Sequence, residues 1–232
     1  MVTNEQGRSM IEMLGILAVV GVLTIGGIAG YTKAIHAYRV NKIKNQIATM
    51  VTTIHTLYMH QVTYKTLNNE TAIQTNIVPR EMLTSDNMKK ITNVYGGEVF
   101  IGNGSIGQGV SEVANDQKAF LIEYNGLPRN ACVDLASTNW VSDSMPSLMG
   151  IKISGSLKSA NTTTSTPQAI EDVPEIQFQD NGAGCRGSNI VQGLTIACVG
   201  GSSVKIPLSK AQAARACNCG SNYSCSITFK YF

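Results

Sequence analysis

The feature that most limits this chain is a run without formal charge, Met13 to Thr32, in which half the residues are Met, Leu, Ile or Val. Twenty residues at about 1.5 Å each reach the roughly 30 Å of a bilayer core. A helix apolar on every side has no face for water and must lie in lipid or against other helices. The run exceeds the roughly 7–15 apolar residues of a secretory signal, and it lacks a basic leader and a small-residue cleavage site. On hydropathy alone the simplest reading is a plain membrane anchor.

Two neighbours of the run narrow that reading. Glu12 stands at its start, where a carboxylate at the edge of hydrocarbon needs a partner. The first turn of a helix lends its dipole, about 1 kcal/mol, which does not offset full burial. A polar heptapeptide, Met1 to Gly7, precedes Arg8. Cleavage after Gly7 would create an α-amino group at Arg8, one helical turn before Glu12. That amine could neutralise the carboxylate in the same chain or in a neighbour.

Gly7-Arg8-Ser9-Met10-Ile11-Glu12 followed by Met13-Leu14-Gly15-Ile16-Leu17 resembles the processing site of type IV prepilins and related pseudopilins. The resemblance implies that a prepilin peptidase on the cytoplasmic side of the inner membrane cuts after Gly7 and methylates Arg8. It also implies that Glu12 pairs with the terminal amine of an adjacent subunit during assembly. Arg8 stands where that family more usually has an apolar residue.

Beyond the run, Val40, Ile43, Ile47, Met50, Ile54, Leu57 and Tyr58 recur at three- and four-residue steps, the pattern of an amphipathic helix. No proline interrupts the chain before Pro79. One helix over 8–62 is expected, with 10–32 as its transmembrane and assembly portion, residues 1–7 as a leader and 63–232 as a globular head. Gly26 and Gly30 have the small-x-x-x-small spacing that lets helices approach closely. The Gly26-Gly27 pair is where the helix would bend or melt on assembly. His36, His55 and His60 lack an accompanying cysteine or acidic cluster for metal binding and are read as solvent-facing or boundary residues.

Past Tyr64 the pattern changes. Val78 to Leu83 predicts a short helix opened by Pro79, and Asn93 to Gly102 a turn running into a strand. Ala119 to Tyr124 predicts a second strand ended by Asn125-Gly126, and Pro128 opens a brief helix through Cys132 and Leu135. Gly102 to Gly109 reads as a hairpin connection, and Ser154 to Pro167 as an exposed loop. Leu194 to Val199, Gly200-Gly201 and Ser203 to Ile206 predict a hairpin. Ser209 caps a helix over Lys210 to Ala216. The terminal strand places Cys225, Ile227, Phe229 and Tyr231 on one face, alternating with Ser226, Thr228 and Lys230. This order of elements resembles the type IVb pilins, especially the long pilins of conjugative and enteric systems. The expected class is therefore α+β, a type IV pilin fold. In it a long N-terminal helix packs on an antiparallel sheet, followed by a C-terminal disulfide-bonded region.

Cys132, Cys185, Cys198, Cys217, Cys219 and Cys225 all lie in the second half, which fits disulfides formed in an oxidising compartment. Spacing does not choose among their pairings, although Cys217-Asn218-Cys219 is too short for easy bridging of its own ends. No Cys-x-x-Cys pair suggests zinc. The resemblance to type IV pilins implies a bridge from Cys132 to Cys217 or Cys219. It leaves Cys185 to Cys198, and Cys225 to the cysteine left over.

A net charge of +3, scattered along the chain, gives no nucleic-acid footprint. The histidines lie only on the long helix, away from any nucleophile turn, and no paired acids or phosphate loop appear. No enzyme, cofactor or metal is expected. The leading expectation is the structural subunit of a type IV pilus, a homopolymer of identical subunits. It would sit in the inner membrane of a Gram-negative cell as precursor and then in an extracellular filament. The resemblance adds an assembly platform and its ATPase as partners. A minor pilin or type II secretion pseudopilin is the neighbouring alternative, and a membrane-anchored extracytoplasmic binding domain the more remote one. Nothing in the residues selects among adhesion, conjugation, DNA uptake and motility.

Overall fold

A computed structural model describes residues 10–84, 90–104, 117–140, 147–155, 194–199, 204–219 and 224–232. Helix α1 runs over Met10–Tyr58, and the chain divides into two compact units, Met1–Arg39 and Val40–Phe232, to both of which α1 contributes. The described part of the first unit is helix alone, unbroken through Gly26-Gly27.

In the second unit α1 buries Val40, Ile43, Ile47, Met50, Val51, Ile54 and Tyr58. These steps keep one stripe of the helix toward the core. Leu57, expected in that stripe, is 44% exposed and Val51 is buried instead. The buried stripe therefore lies slightly to one side of the one read from sequence. The helix ends at Tyr58, whose carbonyl accepts from Gln61 N–H at 2.8 Å, short of the expected residue 62.

Among the described residues five antiparallel strands form one sheet: β1 Val99–Gly104, β2 Ala119–Pro128, β3 Leu148–Gly155, β4 Leu194–Cys198 and β5 Ser224–Tyr231, in the order β1-β2-β5-β3-β4. The terminal strand β5 is thus central. Its Ile227, Phe229 and Tyr231 line up with Tyr124, Ile122 and Phe120 of β2 and with Ile153, Ile151 and Leu148 of β3. All nine belong to the core that also holds the α1 stripe. Phe120 stacks on Tyr231 with ring centroids 5.1 Å apart, and Trp140 meets Phe229 edge-on at 4.8 Å. The opposite face of β5 is buried as well: Ser226, Thr228 and Lys230 are all nearly inaccessible. There Ser226 Oγ donates to Glu123 Oε1 at 2.8 Å, which lets a polar row stay inside.

Several local expectations are corrected. Asn125-Gly126 does not end β2, which continues to Pro128 with a register shift between Tyr124 and Leu127. This is a bulge, built on the positive φ of Gly126 (+68°). Strand β3 is an element that the sequence pattern did not announce, and it takes in Ser154, which pairs with Leu194 and Ser226. Residues 204–206 make no antiparallel hairpin with β4. Cys198 N–H donates to Val204 O at 3.0 Å and Ile206 N–H to Cys198 O at 3.1 Å, a single parallel bridge. Pro207 has no N–H with which to extend it. The helix expected over Val78 to Leu83 is one 3-10 turn, Arg80–Met82, because Leu83 pairs with Ile91 instead. The Gly102 to Gly109 connection from residue 105, the Ser154 to Pro167 loop from residue 156, and the turn at Gly200-Gly201 lie outside the described residues.

Helix α2, Asn69–Gln74, is capped by Asn68. Its Asn69 accepts from Ile101 N–H through Oδ1 at 2.7 Å, closing the outer edge of β1. Helix α3, Arg129–Ala136, follows β2 directly. Helix α4, Lys210–Ala216, has the full capping box, with Gln212 N–H on Ser209 Oγ and Ser209 N–H on Gln212 Oε1.

Candidate functional site

From Met10 to Thr32 the described part of the first unit presents an apolar surface with one carboxylate. Met10, Ile11, Leu14, Leu17, Val22 and Ile25 are all exposed. An 18-residue window of α1 has a mean hydropathy of 2.2 and none of it is buried within the chain. By length and composition this is a helix able to cross a membrane. Each large apolar side chain left in water forgoes about 1.5–3 kcal/mol of burial, so lipid or other apolar helices are its favoured surroundings. Glu12 lies in the first turn, where the helix dipole favours a negative charge. It is exposed and has no hydrogen-bond or ion-pair partner among the described residues. Gly26, Gly27 and Gly30 have nothing within 4 Å of the position a Cβ would take. They form a shallow strip against which another helix backbone could lie. Gly7 and Arg8 lie outside the described residues.

Within the second unit, polar contacts join α1 to the 3-10 turn and to the residue before β3, and disulfides join the C-terminal region to α3 and β5. Gln46 Nε2 donates to Glu81 Oε1 at 2.8 Å, and Lys42 Nζ pairs with Glu81 Oε2 at 3.1 Å. These two contacts, the Gln46 hydrogen bond first, hold the Glu81 carboxyl below the usual carboxylate range. Near the end of α1, His55 Nε2 lies 2.7 Å from Ser147 Oγ and the ring meets Phe120 edge-on at 5.4 Å. Burial lowers the His55 pKa from its ordinary value. Residues 92 apart give no local signal, and the sequence pattern did not join them.

Cys132 of α3 is bonded to Cys217 with Cα atoms 5.9 Å apart, and Cys219 to Cys225 at 5.2 Å. Both separations suit a disulfide. Cys198 is also in a disulfide, and Cys185, its expected partner, lies outside the described residues. The two described bridges adjoin, because the sulfurs of Cys132, Cys219 and Cys225 all lie within 4.8 Å of one another. Arg129 Nη2 donates to Ala214 O at 3.1 Å, and Lys210 forms an ion pair with Asp134, so α3 and α4 are joined by charge as well as by sulfur.

The family model described as Bundlin matches residues 34–175. The chain is 28% identical over 169 residues to the major structural subunit of bundle-forming pilus of Escherichia coli O127:H6, covering 72% of this chain and 81% of that one. It is 29% identical over 137 residues to the protein of the same description from Escherichia coli O111:H-, covering 58% and 65%. The crystal structure of type IV b pilin from Salmonella typhi aligns with a TM-score of 0.45 and 16% identity, over 84% of this chain and 98% of that one.

Proposed function

This chain belongs to the bundlin family, and from that premise we propose that it is the structural subunit of a type IV pilus. The exposed apolar half of α1, with Glu12 in its first turn, carries the reading. In this account a prepilin peptidase removes residues 1–7 and methylates Arg8. The mature chain waits in the inner membrane, its apolar segment in lipid. Assembly then replaces lipid contacts by contacts between identical helices, and the Gly26, Gly27 and Gly30 strip allows close approach. Glu12 supplies register by meeting the terminal amine of a neighbour, a charge pair strengthened by the low dielectric around it. The subunit is a structural protein and no catalytic role is assigned to it. Energy for extrusion therefore comes from an assembly platform and its cytoplasmic ATPase. The product is an extracellular filament, held on the outside by a head that disulfides cross-link.

Glu12→Ala in the producing cell tests this. The variant should still insert in the membrane and should yield few or no filaments. Wild-type numbers of filaments from Glu12→Ala would contradict the charge-pair mechanism.

A further inference from the structure

Cys132, Cys217, Cys219 and Cys225 form one sulfur cluster. The Cys132 sulfur, bonded to Cys217, lies within 4.8 Å of both sulfurs of the Cys219–Cys225 bridge. Cys225 Sγ also lies 3.6 Å from the Cys217 carbonyl oxygen. Cys132, Cys217 and Cys225 are fully buried, and Cys219 alone retains some exposure, at 8%. Dissolved thiols and disulfides therefore reach the cluster poorly, and reach Cys219 best. Its own sulfurs, by contrast, need to move only about 3 Å to come within bonding distance of a new partner.

We propose that the cluster is an intramolecular thiol–disulfide exchange centre in which the local Cys219–Cys225 pair passes its oxidation to the distant Cys132–Cys217 pair. Sequence separation sets the order, being 6 residues for the local pair and 85 for the distant one. Loop-closure entropy makes the short loop the easier to close first. An external disulfide, small or borne by an oxidoreductase, accepts two electrons and two protons from the local dithiol. When Cys132 arrives as a thiolate, it attacks one sulfur of the local bridge. A bond to Cys132 forms, the Cys219–Cys225 bond breaks, and the other sulfur leaves with the electron pair as a thiolate. The Cys217 thiolate then attacks Cys132, closing Cys132–Cys217 and releasing the last local sulfur. These two exchanges leave the chain's oxidation level unchanged. The local pair, reached through Cys219, is then oxidised again by a second external disulfide.

The test is non-reducing peptide mapping of full-length Cys217→Ser, made in an oxidising compartment and quenched with an alkylating agent. A fraction of chains should carry Cys132 bonded to Cys219 or Cys225, with the displaced sulfur alkylated. Cys132 found wholly alkylated, or bonded only to Cys185 or Cys198, would overturn the proposal. Should that variant be degraded, reduced wild-type protein is refolded with limiting oxidised glutathione and quenched at intervals. The mixed bridge should then precede Cys132–Cys217. Direct formation of Cys132–Cys217 with no mixed bridge at any time would overturn the proposal equally.

Discussion

Asn93 Nδ2 donates to the backbone carbonyl of Asn125 at 2.7 Å across 32 residues of chain. The same side chain accepts from Tyr95 N–H at 2.8 Å and Gly97 N–H at 3.3 Å, and Asn93 is only 5% exposed. One buried amide therefore ties the turn leading into β1 to the bulge of β2. Asn93→Ala leaves these backbone groups short of partners, at a cost of about 2–3 kcal/mol. Gly97→Ala acts on the same contact by crowding, since a Cβ there would lie 1.8 Å from the Asn125 oxygen. It should cost about as much. Urea midpoints of the purified full-length variants in detergent check both, and unchanged midpoints would remove the tie from the account.

Acidification should weaken the second unit through His55. Burial lowers its folded-state pKa below the ordinary 6.5, so the neutral ring beside Ser147 contributes fully above the unfolded value. As pH falls, the unfolded chain binds the proton first, and stability is lost until the folded-state pKa has been passed. Thermal midpoints at pH 7 and pH 5 should fall further for wild type than for His55→Gln. Equal losses would assign the pH dependence to other groups.

The Cys132–Cys217 bridge closes a loop with a sequence separation of 85, for which the chain-entropy argument gives about 4–5 kcal/mol. Cys132→Ser combined with Cys217→Ser should lower stability by up to that amount and make the C-terminal region sensitive to protease. Limited proteolysis and a denaturant midpoint read both effects. A midpoint within experimental error of wild type would mean that the Arg129 and Lys210 contacts suffice to hold α3 to α4.

Features set within a turn or two of helix were legible in the sequence. The α1 stripe follows from its spacing, and the α4 boundaries from Ser209 and the alanine-rich segment behind it. Features that need a distant partner were not. Asn125-Gly126 reads locally as a turn, and it becomes a bulge because Gly97 and Asn93 come up against it from the turn leading into β1. In β3, Gly150 weakens the strand pattern and Lys152 puts a charged residue in a buried position, so pairing with β5 and β4 decides the element. The choice between Cys217 and Cys219 as partner of Cys132 depends on how α4 packs against α3, which spacing does not report. Glu12 is singled out in the sequence by its position at the edge of the apolar run, and its pairing is the proposal made above, whereas the contact of His55 with Ser147 exists only in the folded unit.

Cleavage after Gly7 and polymerisation through the apolar helix, as proposed above, can be read on one sample. The most direct measurement is the intact mass of protein sheared from the surface of producing cells. The expected species is a chain beginning at Arg8, with residues 1–7 absent and one methyl group added. Recovery of only the uncut chain, confined to the inner membrane and absent from the sheared fraction, would contradict it.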